Sequence, residues 1–427
     1  MPLNQEDRTR SLQNIKQNST PDREDYIVYN NEKKKMGVYK IPFEFLIYNK
    51  WNGRILSMTK SFERQFYELD PAKEEDSDIL TKFLWESKED RNKGTSEDLA
   101  RWGQKRYGIV TKDGVIIDGN RRASILKKNY DKDSKNQPYF LAVILEDALD
   151  GIHSREIMRL ETTYQMGEDE KLDYNPIEKY LKCQQLIDNN FKPKEIAEMM
   201  NEKISKVDEW LEIMGLMDEY LDSLDYSGIY TRLEKREGQF VDLNGYLNKY
   251  KAGTASVEWP YQRQSDVSDL KIICFDYIRA QYEGKEFRSI AKPGKESFFC
   301  KQNVWEKFRD EHFNLIDPIN GSEKTPDELR EENPDVSLPK LLKLRDDGWA
   351  LRAKGQLQGN LNKSLRTLED ANEANAPSKL IARAINTLEQ VNTEVPKFYQ
   401  DTEIDNLLKR VNEIIWNFKQ TIKDKRK

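Results

Sequence analysis

The spacing of apolar residues changes about a third of the way along the chain. Between residues 36 and 150, short apolar runs separated by turn residues predict strands, in GVYKIPFEFLIYN, YGIVTK, VIID and YFLAVIL. After residue 150, apolar residues recur every three to four positions, which predicts helices almost throughout. The pattern therefore predicts an α+β protein, in which a small mixed-sheet core is followed by a mostly α-helical region.

Breaks in this pattern divide the chain into four expected parts. The first is polar and lacks periodicity, so we expect a flexible arm there. The parts are the arm at 1–35, the sheet core at 36–150, a helical domain at 151–250 and a C-terminal helical region at 251–427. Within the last part, the polar stretch INGSEKTPDELREENPDVSLP predicts a linker near 319–339.

A helix-turn-helix-like unit is predicted at 191–216, where two short amphipathic helices meet at Asn201-Glu202-Lys203. Its second helix, ISKVDEWLEIMG, carries three acidic residues and one lysine. Contacts to DNA phosphates need lysine and arginine. We therefore expect a structural or protein-contact role for this unit, and expect Trp210 to lie in the core.

Composition limits the classes of function. The chain has 427 residues, a net charge of −6 and a mean hydropathy of −0.89, with no apolar run long enough for a membrane span and no apolar leader. Its three cysteines are far apart and form no CxxC pair, which fits a reducing cytoplasm. Neither of its two histidines lies in a nucleophile motif, so we expect catalysis, if any, to depend on carboxylates, arginines and a metal.

One turn carries an unusual charge pattern. In GVIIDGNRRASILKK, residues 114–128, a buried-looking strand leads through Asp118-Gly119-Asn120 into a helix that has Arg121 and Arg122 in its first turn. Cations are unfavourable there, because the positive end of the helix dipole lies at the N-terminus. A bound phosphate would compensate. The alternative, that both arginines are solvated or paired with acids such as Asp113, stays open at this point.

The surroundings of this turn resemble a known family. Gly103-Gln104, Ile109-Val110, Gly114 and the DGNRR turn follow one another as in the N-terminal domain of the ParB/sulfiredoxin superfamily. A second block, 159–178, resembles the next ParB segment, with Glu161 on the position of its glutamate. The helix-turn-helix-like unit then comes where ParB proteins have theirs. The resemblance covers roughly residues 96–220, and the flanks match no family that we can name.

The resemblance implies a ParB/Srx-like fold that binds a nucleoside triphosphate, CTP or ATP, with Mg²⁺. Glu161 would hold the metal, and Asp118 would be a second ligand or a general base; these two are also the candidate catalytic residues. The residues implied in nucleotide binding are Gly119, Asn120, Arg121, Arg122, Gln104 and Gln165. For Glu161, the alternative of an exposed helix acid stays open. Arg54 is a further candidate anion contact.

Departures from the family pattern limit what the resemblance implies. Thr162 replaces the ParB asparagine, Gln165 is displaced by one position, and Asn120 stands where sulfiredoxin has its catalytic cysteine, which excludes sulfinic-acid reduction. The leading hypothesis is a nucleotide switch in a DNA-related process such as partition, mobile-element or antiphage function. A phosphotransferase, NTPase or metal-dependent nuclease at the same site, and a DNA-binding regulator without nucleotide, are the alternatives. The C-terminal helices are expected to mediate homo-oligomer formation or to bind a partner protein, and no membrane association is expected.

Overall fold

A computed structural model describes residues 3–29, 32–132, 138–149, 151–167, 175–294, 296–373 and 377–426. These residues confirm the α+β class. The strands are β1 (Arg23–Tyr29), β2 (Glu32–Pro42), β3 (Ile47–Tyr48), β4 (Gly108–Val110), β5 (Val115–Asp118) and β6 (Tyr139–Ile144). The helices are α1 (Gln5–Asn18), α2 (Leu56–Gln65), α3 (Glu74–Glu86), α4 (Glu89–Trp102), α5 (Asn120–Lys132), α6 (Ser154–Thr162), α7 (Pro176–Asp188), α8 (Pro193–Met200), α9 (Ile204–Ser223), α10 (Glu237–Ala252), α11 (Ser265–Arg279), α12 (Glu286–Ile290), α13 (Gln302–Gly321), α14 (Pro326–Glu332), α15 (Leu338–Glu373), α16 (Pro377–Glu389), α17 (Pro396–Gln400) and α18 (Thr402–Lys425).

The strands form one mixed sheet in the order β1-β2-β6-β4-β5-β3. The β4–β6 and β3–β5 pairs are parallel, and the other three are antiparallel. Successive residues of a strand point to opposite faces. In β6, Phe140 and Ala142 therefore join one core with α1, α3 and α5, whereas Leu141 and Val143 join a second core with α6. Both faces of the central strands are covered, which explains their nearly continuous apolar runs.

The N-terminal segment differs from the expected flexible arm. Residues 5–18 form α1, whose Leu12 is fully buried against the sheet, and residues 23–29 form the edge strand β1. The pattern REDYIVY buries only Ile27 and Tyr29, because β1 is an edge strand with one covered face. This half-buried alternation is too short to stand out among the surrounding charged residues.

Helices α7 to α13 and α15 share one apolar core. The expected boundary at residue 250 therefore does not separate two cores. The boundary at 150 also differs, since Ile157 and Leu160 of α6 pack on the sheet. In the expected linker near 319–339, the chain forms the short helix α14, whose N-terminus is capped by Thr325 and Glu328.

The helix-turn-helix-like unit has the predicted geometry. Helices α8 and α9 are joined by three residues, of which Asn201 adopts the left-handed conformation. Trp210 is buried, as expected. On the same helix, Glu212 accepts hydrogen bonds from Asn244 and Asn248 of α10. The second helix is thus acidic and partly covered by α10, which does not favour a role in reading DNA.

The last helices contrast with the rest of the chain. None of the side chains described in α16, α17 and α18 is buried. Among the helices that the structure describes, none combines the length and the apolar character needed to cross a membrane.

One buried carboxylate joins the helical region to the sheet unit and is expected to make stability depend on pH. Glu178 of α7 accepts hydrogen bonds from the backbone N–H and the hydroxyl of Ser57, at the start of α2. Burial raises the pKa of Glu178 to about 7, from an ordinary value of 4.5. The folded state therefore binds more protons than the unfolded state between these values, and stability falls as pH rises through this interval.

We expect Glu178→Gln to remove this dependence. Relative to the parent chain, the variant should gain up to about 3 kcal/mol in free energy of unfolding between pH 4.5 and pH 7.5, with no further gain above. Unfolding midpoints measured across this pH range test the prediction. Glu97→Gln, at an exposed position of α4, is the matched control. A difference between variant and parent that stays constant with pH would contradict it.

Candidate functional site

A cleft of about 510 Å³ lies where β5 ends and α5 begins. Its wall combines residues from β1, from the loop before α2, from the loop before β4, from the start of α5 and from the turn after α6. Among the described residues, six cationic and two acidic side chains line it. The cations are Arg23, Arg54, Lys105, Arg106, Arg121 and Arg122, and the acids are Asp25 and Asp118. The cleft is therefore strongly cationic in a chain whose net charge is −6.

The turn between β5 and α5 has a conformation that glycine favours. Gly119 has φ +97°, and a Cβ atom at this position would lie 2.8 Å from the Phe140 ring. The side chain of Asn120 then fixes the turn, because its amide donates to the carbonyl of Ile116 (2.7 Å) and its oxygen accepts from the N–H of Asn49 (3.0 Å). Asn120 is buried, so its side chain serves the turn; the part it can offer to a ligand is its backbone.

Gly119→Ala is expected to lower the free energy of unfolding by about 1–3 kcal/mol, because the left-handed backbone and the close Phe140 ring both oppose a Cβ atom. Chemical denaturation measures the change. Gly94→Ala is the matched control, since Gly94 lies in α4 with no atom within 4 Å of the added Cβ. We expect the control to be neutral or slightly stabilising. Equal stability of the two variants would contradict this description of the turn.

Arg121 and Arg122 both face the cleft, as the phosphate hypothesis requires. Arg122 also donates from Nη1 to the carbonyls of Arg106 and Tyr107, both at 3.1 Å, and so ties the loop before β4 to the start of α5. The alternative partner Asp113 lies elsewhere, at the turn between β4 and β5, close to Gln5 and Arg8 of α1. Pairing with Asp113 therefore does not explain the two arginines.

Three cations of the cleft were not predicted. Arg23 lies on β1, donates to the carbonyl of Lys105 (2.9 Å) and stacks over the ring of Tyr107. Lys105 and Arg106 directly follow Gly103-Gln104 in the sequence, so the run KRY before a strand was an available signal. Arg23 had no comparable signal, because it lies in the segment expected to be an arm. Arg54, the predicted further anion contact, does line the cleft.

Gln104 does not line the cleft, and its side chain has a structural role. Its side chain exchanges two hydrogen bonds with the backbone of Leu141 on β6, at 2.7 and 2.8 Å, and donates to the carbonyl of Arg106. It acts on the cleft only by positioning the loop that carries Lys105 and Arg106. We therefore correct its assignment from a nucleotide contact to a positioning residue.

Glu161 also differs from its expected place as a metal ligand or catalytic group. It is 2% exposed and lies behind the cleft wall, where its carboxylate is bound to the ammonium of Lys182 (2.8 Å) and accepts from the Asn49 amide (3.0 Å). Burial raises its pKa, the nearby Asp118 adds to the rise, and Lys182 opposes it. It is neither an exposed helix acid nor a lining residue. Its observed role is structural.

A π-helical turn, Thr163–Gly167, follows α6 and carries Tyr164 and Gln165 into the cleft. π-Helical turns are rare in proteins, and those that occur are often found at functional sites. Gln165 donates to the carbonyl of Ile117 (2.7 Å), while its buried Oε1 accepts no hydrogen bond from the part of the chain that the structure describes. A buried acceptor of this kind is costly unless a ligand or water donates to it. Relative to the ParB segment that this part of the chain resembles, a short insertion is expected around GEDEK, at 167–171, which lies largely outside the described residues.

Asp118 is the carboxylate of the predicted set that does line the cleft. Within the described part of the chain, no group of three or more His, Cys, Asp or Glu side chains could hold a metal ion. Asp118 alone is a donor that suits Mg²⁺, because Mg²⁺ takes one or two protein carboxylates and completes its shell with phosphate oxygens and water.

Comparison with known proteins adds no assignment. No protein-family model matches the chain, and a search of curated proteins finds no match either. The likeness to the ParB/sulfiredoxin superfamily therefore remains a prediction from the motifs.

Proposed function

We propose that the cleft binds a nucleoside triphosphate together with Mg²⁺, and that its occupancy is transmitted to the helical region. One observation carries this proposal: six cationic side chains and two acidic ones, among the described residues, surround a helix N-terminus in a net-acidic protein. Clustering like charges is unfavourable unless a polyanion neutralises them. A triphosphate has the charge and the compact shape to do so.

The phosphates are best accommodated at the start of α5. The first N–H groups of a helix lack intrahelical acceptors and attract anions. Gly119, with no side chain, lets a ligand approach the backbone of the turn. The guanidinium groups of Arg121 and Arg122 lie at the same end of the helix, where charge-assisted hydrogen bonds to phosphate oxygens are strong.

The remainder of the cleft suits a base. Tyr107 and Tyr164 supply aromatic surface, and Gln165 supplies a buried acceptor. The volume of about 510 Å³ lies in the usual range for small-molecule sites. Mg²⁺, held by Asp118, would neutralise phosphate charge when bound.

A chain of buried contacts connects the turn to the helical region. Asn120 in the turn accepts from the backbone of Asn49, whose side chain donates to Glu161, which in turn pairs with Lys182 on α7. A ligand that shifts the turn would alter this chain. Such a change acts as a switch only if the two states bind the ligand with different affinity.

Isothermal titration with CTP, ATP, GTP and ADP, each with and without Mg²⁺, tests the proposal. We expect at least one triphosphate to bind with micromolar affinity, more tightly with Mg²⁺ than without. Hydrogen exchange then tests the switch: amides of α7 should change protection on binding, while those of α13, far along the chain, should not. Absence of binding by all four nucleotides at millimolar concentration would overturn the proposal.

A second candidate function is turnover of the terminal phosphate, which the position of Asp118 in the cleft favours. A carboxylate beside the phosphates can orient or deprotonate an attacking hydroxyl or water. Release of inorganic phosphate by the parent chain, lost in Asp118→Asn at nucleotide concentrations that saturate the variant, would support it. Binding without turnover would leave the switch as the function.

A further inference from the structure

The C-terminal helices expose an unusually large apolar surface. Among the described residues, thirteen of the twenty-three large apolar side chains that are exposed belong to residues 377–426. We name the apolar side chains of α16 and α18 the C-terminal apolar surface. Its members include Ile381, Ile385, Leu388, Leu407, Leu408, Ile414, Ile415, Phe418 and Ile422, each between 42% and 54% exposed. Exposed apolar side chains in this number, concentrated at one end of the chain, indicate an interaction surface.

The pattern of α18 is that of a helix in a bundle. Its apolar residues recur at intervals of three and four over three heptads, and a third apolar position widens the stripe. One central position of the heptad is occupied by Ile404, Val411 and Phe418, and the other by Leu407, Ile414 and Thr421. The flanking position is occupied by Leu408, Ile415 and Ile422. A stripe this wide packs against more than one neighbouring helix.

We propose that the C-terminal apolar surface binds a second copy of this chain, with the two α18 helices antiparallel. The charges of α18 are arranged for this partner. Its first turn carries Glu403 and Asp405, and its last turn carries Lys423 and Lys425 on either side of Asp424, so the first turn is negative and the last turn has a net positive charge. Antiparallel pairing places the acidic end of each helix beside the basic end of the other, whereas parallel pairing brings like charges together.

The available area matches a stable dimer. A large apolar side chain that is about half exposed offers roughly 80 Å² to a partner. The nine side chains named above therefore offer on the order of 700 Å² per copy, or about 1,400 Å² for two copies. This lies within the roughly 1,200–2,000 Å² of specific protein interfaces.

A membrane surface is a less suitable occupant. Helices that lie on membranes carry a strongly basic polar face. Between Thr402 and Lys425, five basic residues are nearly balanced by four acidic ones. An excess of one positive charge is too small to favour binding to anionic lipids.

Sedimentation of the full chain tests the proposal. We expect a mass of twice 50.4 kDa at micromolar concentration. Leu407→Glu combined with Ile414→Glu should give a monomer. Asn412→Glu combined with Gln420→Glu, the same charge change on the polar face, is the matched control and should remain dimeric. A monomeric parent chain, a dimer unaffected by the Leu407 and Ile414 changes, or binding to lipid vesicles by a chain that is monomeric in solution would each overturn the proposal.

A charge exchange tests the antiparallel arrangement. Glu403→Lys with Asp405→Lys makes both ends of α18 basic, and Lys423→Glu with Lys425→Glu makes both ends acidic. Each variant alone should dimerise at least tenfold more weakly than the parent, and a mixture of the two should recover parent-like association. Failure of the mixture to associate would contradict antiparallel pairing.

Discussion

Arg121→Ala is expected to weaken nucleotide binding by about ten- to a hundredfold without unfolding the protein. A hydrogen bond between a guanidinium and a phosphate oxygen contributes about 1.5–3 kcal/mol, and each 1.4 kcal/mol is a factor of ten in affinity. Isothermal titration with the tightest-binding triphosphate measures the change. Arg121 is a better target than Arg122, whose hydrogen bonds to Arg106 and Tyr107 also hold the neighbouring loop.

Arg10→Ala is the matched control for this experiment. Arg10 is an exposed arginine of α1 and does not line the cleft. Arg10→Ala removes the same charge from the chain. A loss of affinity in Arg121→Ala but not in Arg10→Ala would therefore come from the position of Arg121 in the cleft. Equal affinity of Arg121→Ala and the parent would show that the phosphates do not bind at this turn.

Lys182→Met is expected to lower the free energy of unfolding by about 3–5 kcal/mol, because it leaves the buried carboxylate of Glu161 without its cation. Lys182 and Glu161 are 1% and 2% exposed, so water cannot replace the lost partner. The pKa of Glu161, already raised by burial, should rise further in the variant. Since a raised carboxylate pKa costs stability as pH increases, the deficit should be larger at pH 8 than at pH 5.

Adding Glu161→Gln to Lys182→Met separates the charge effect from packing. The oxygen of the substituted amide would still accept from Asn49, and no charge would remain in the pair, so we expect the double variant to recover most of the lost stability. Urea denaturation of the parent, both single variants and the double variant gives the coupling energy. If the double variant were as unstable as Lys182→Met, the loss of stability would not come from the unpaired carboxylate of Glu161.

The sheet and the turn could be predicted because their signals are local. Strands β4, β5 and β6 are apolar runs bounded by turn residues, and the DGNRR turn combines a glycine with cations at a helix N-terminus. Periodicity also gave the helices of the helix-turn-helix-like unit. These features depend on residues close together in the sequence.

What could not be predicted depends on contacts between distant residues. Arg23 reaches the cleft because β1 pairs with β2 at the edge of the sheet, and no local pattern encodes this placement. Glu161 resembled a metal ligand in the sequence, but its carboxylate is bound by Asn49 and Lys182, which lie 112 and 21 residues away. Motif position therefore identified the neighbourhood of the site and not the task of each side chain.

The location of a bound triphosphate tests the central claim most directly. A structure of the chain with Mg²⁺ and a non-hydrolysable triphosphate should have phosphate oxygens about 3 Å from the Arg121 guanidinium and from the backbone N–H groups at the start of α5. A saturated complex in which the phosphates lie away from Gly119 and Arg121 would contradict the account.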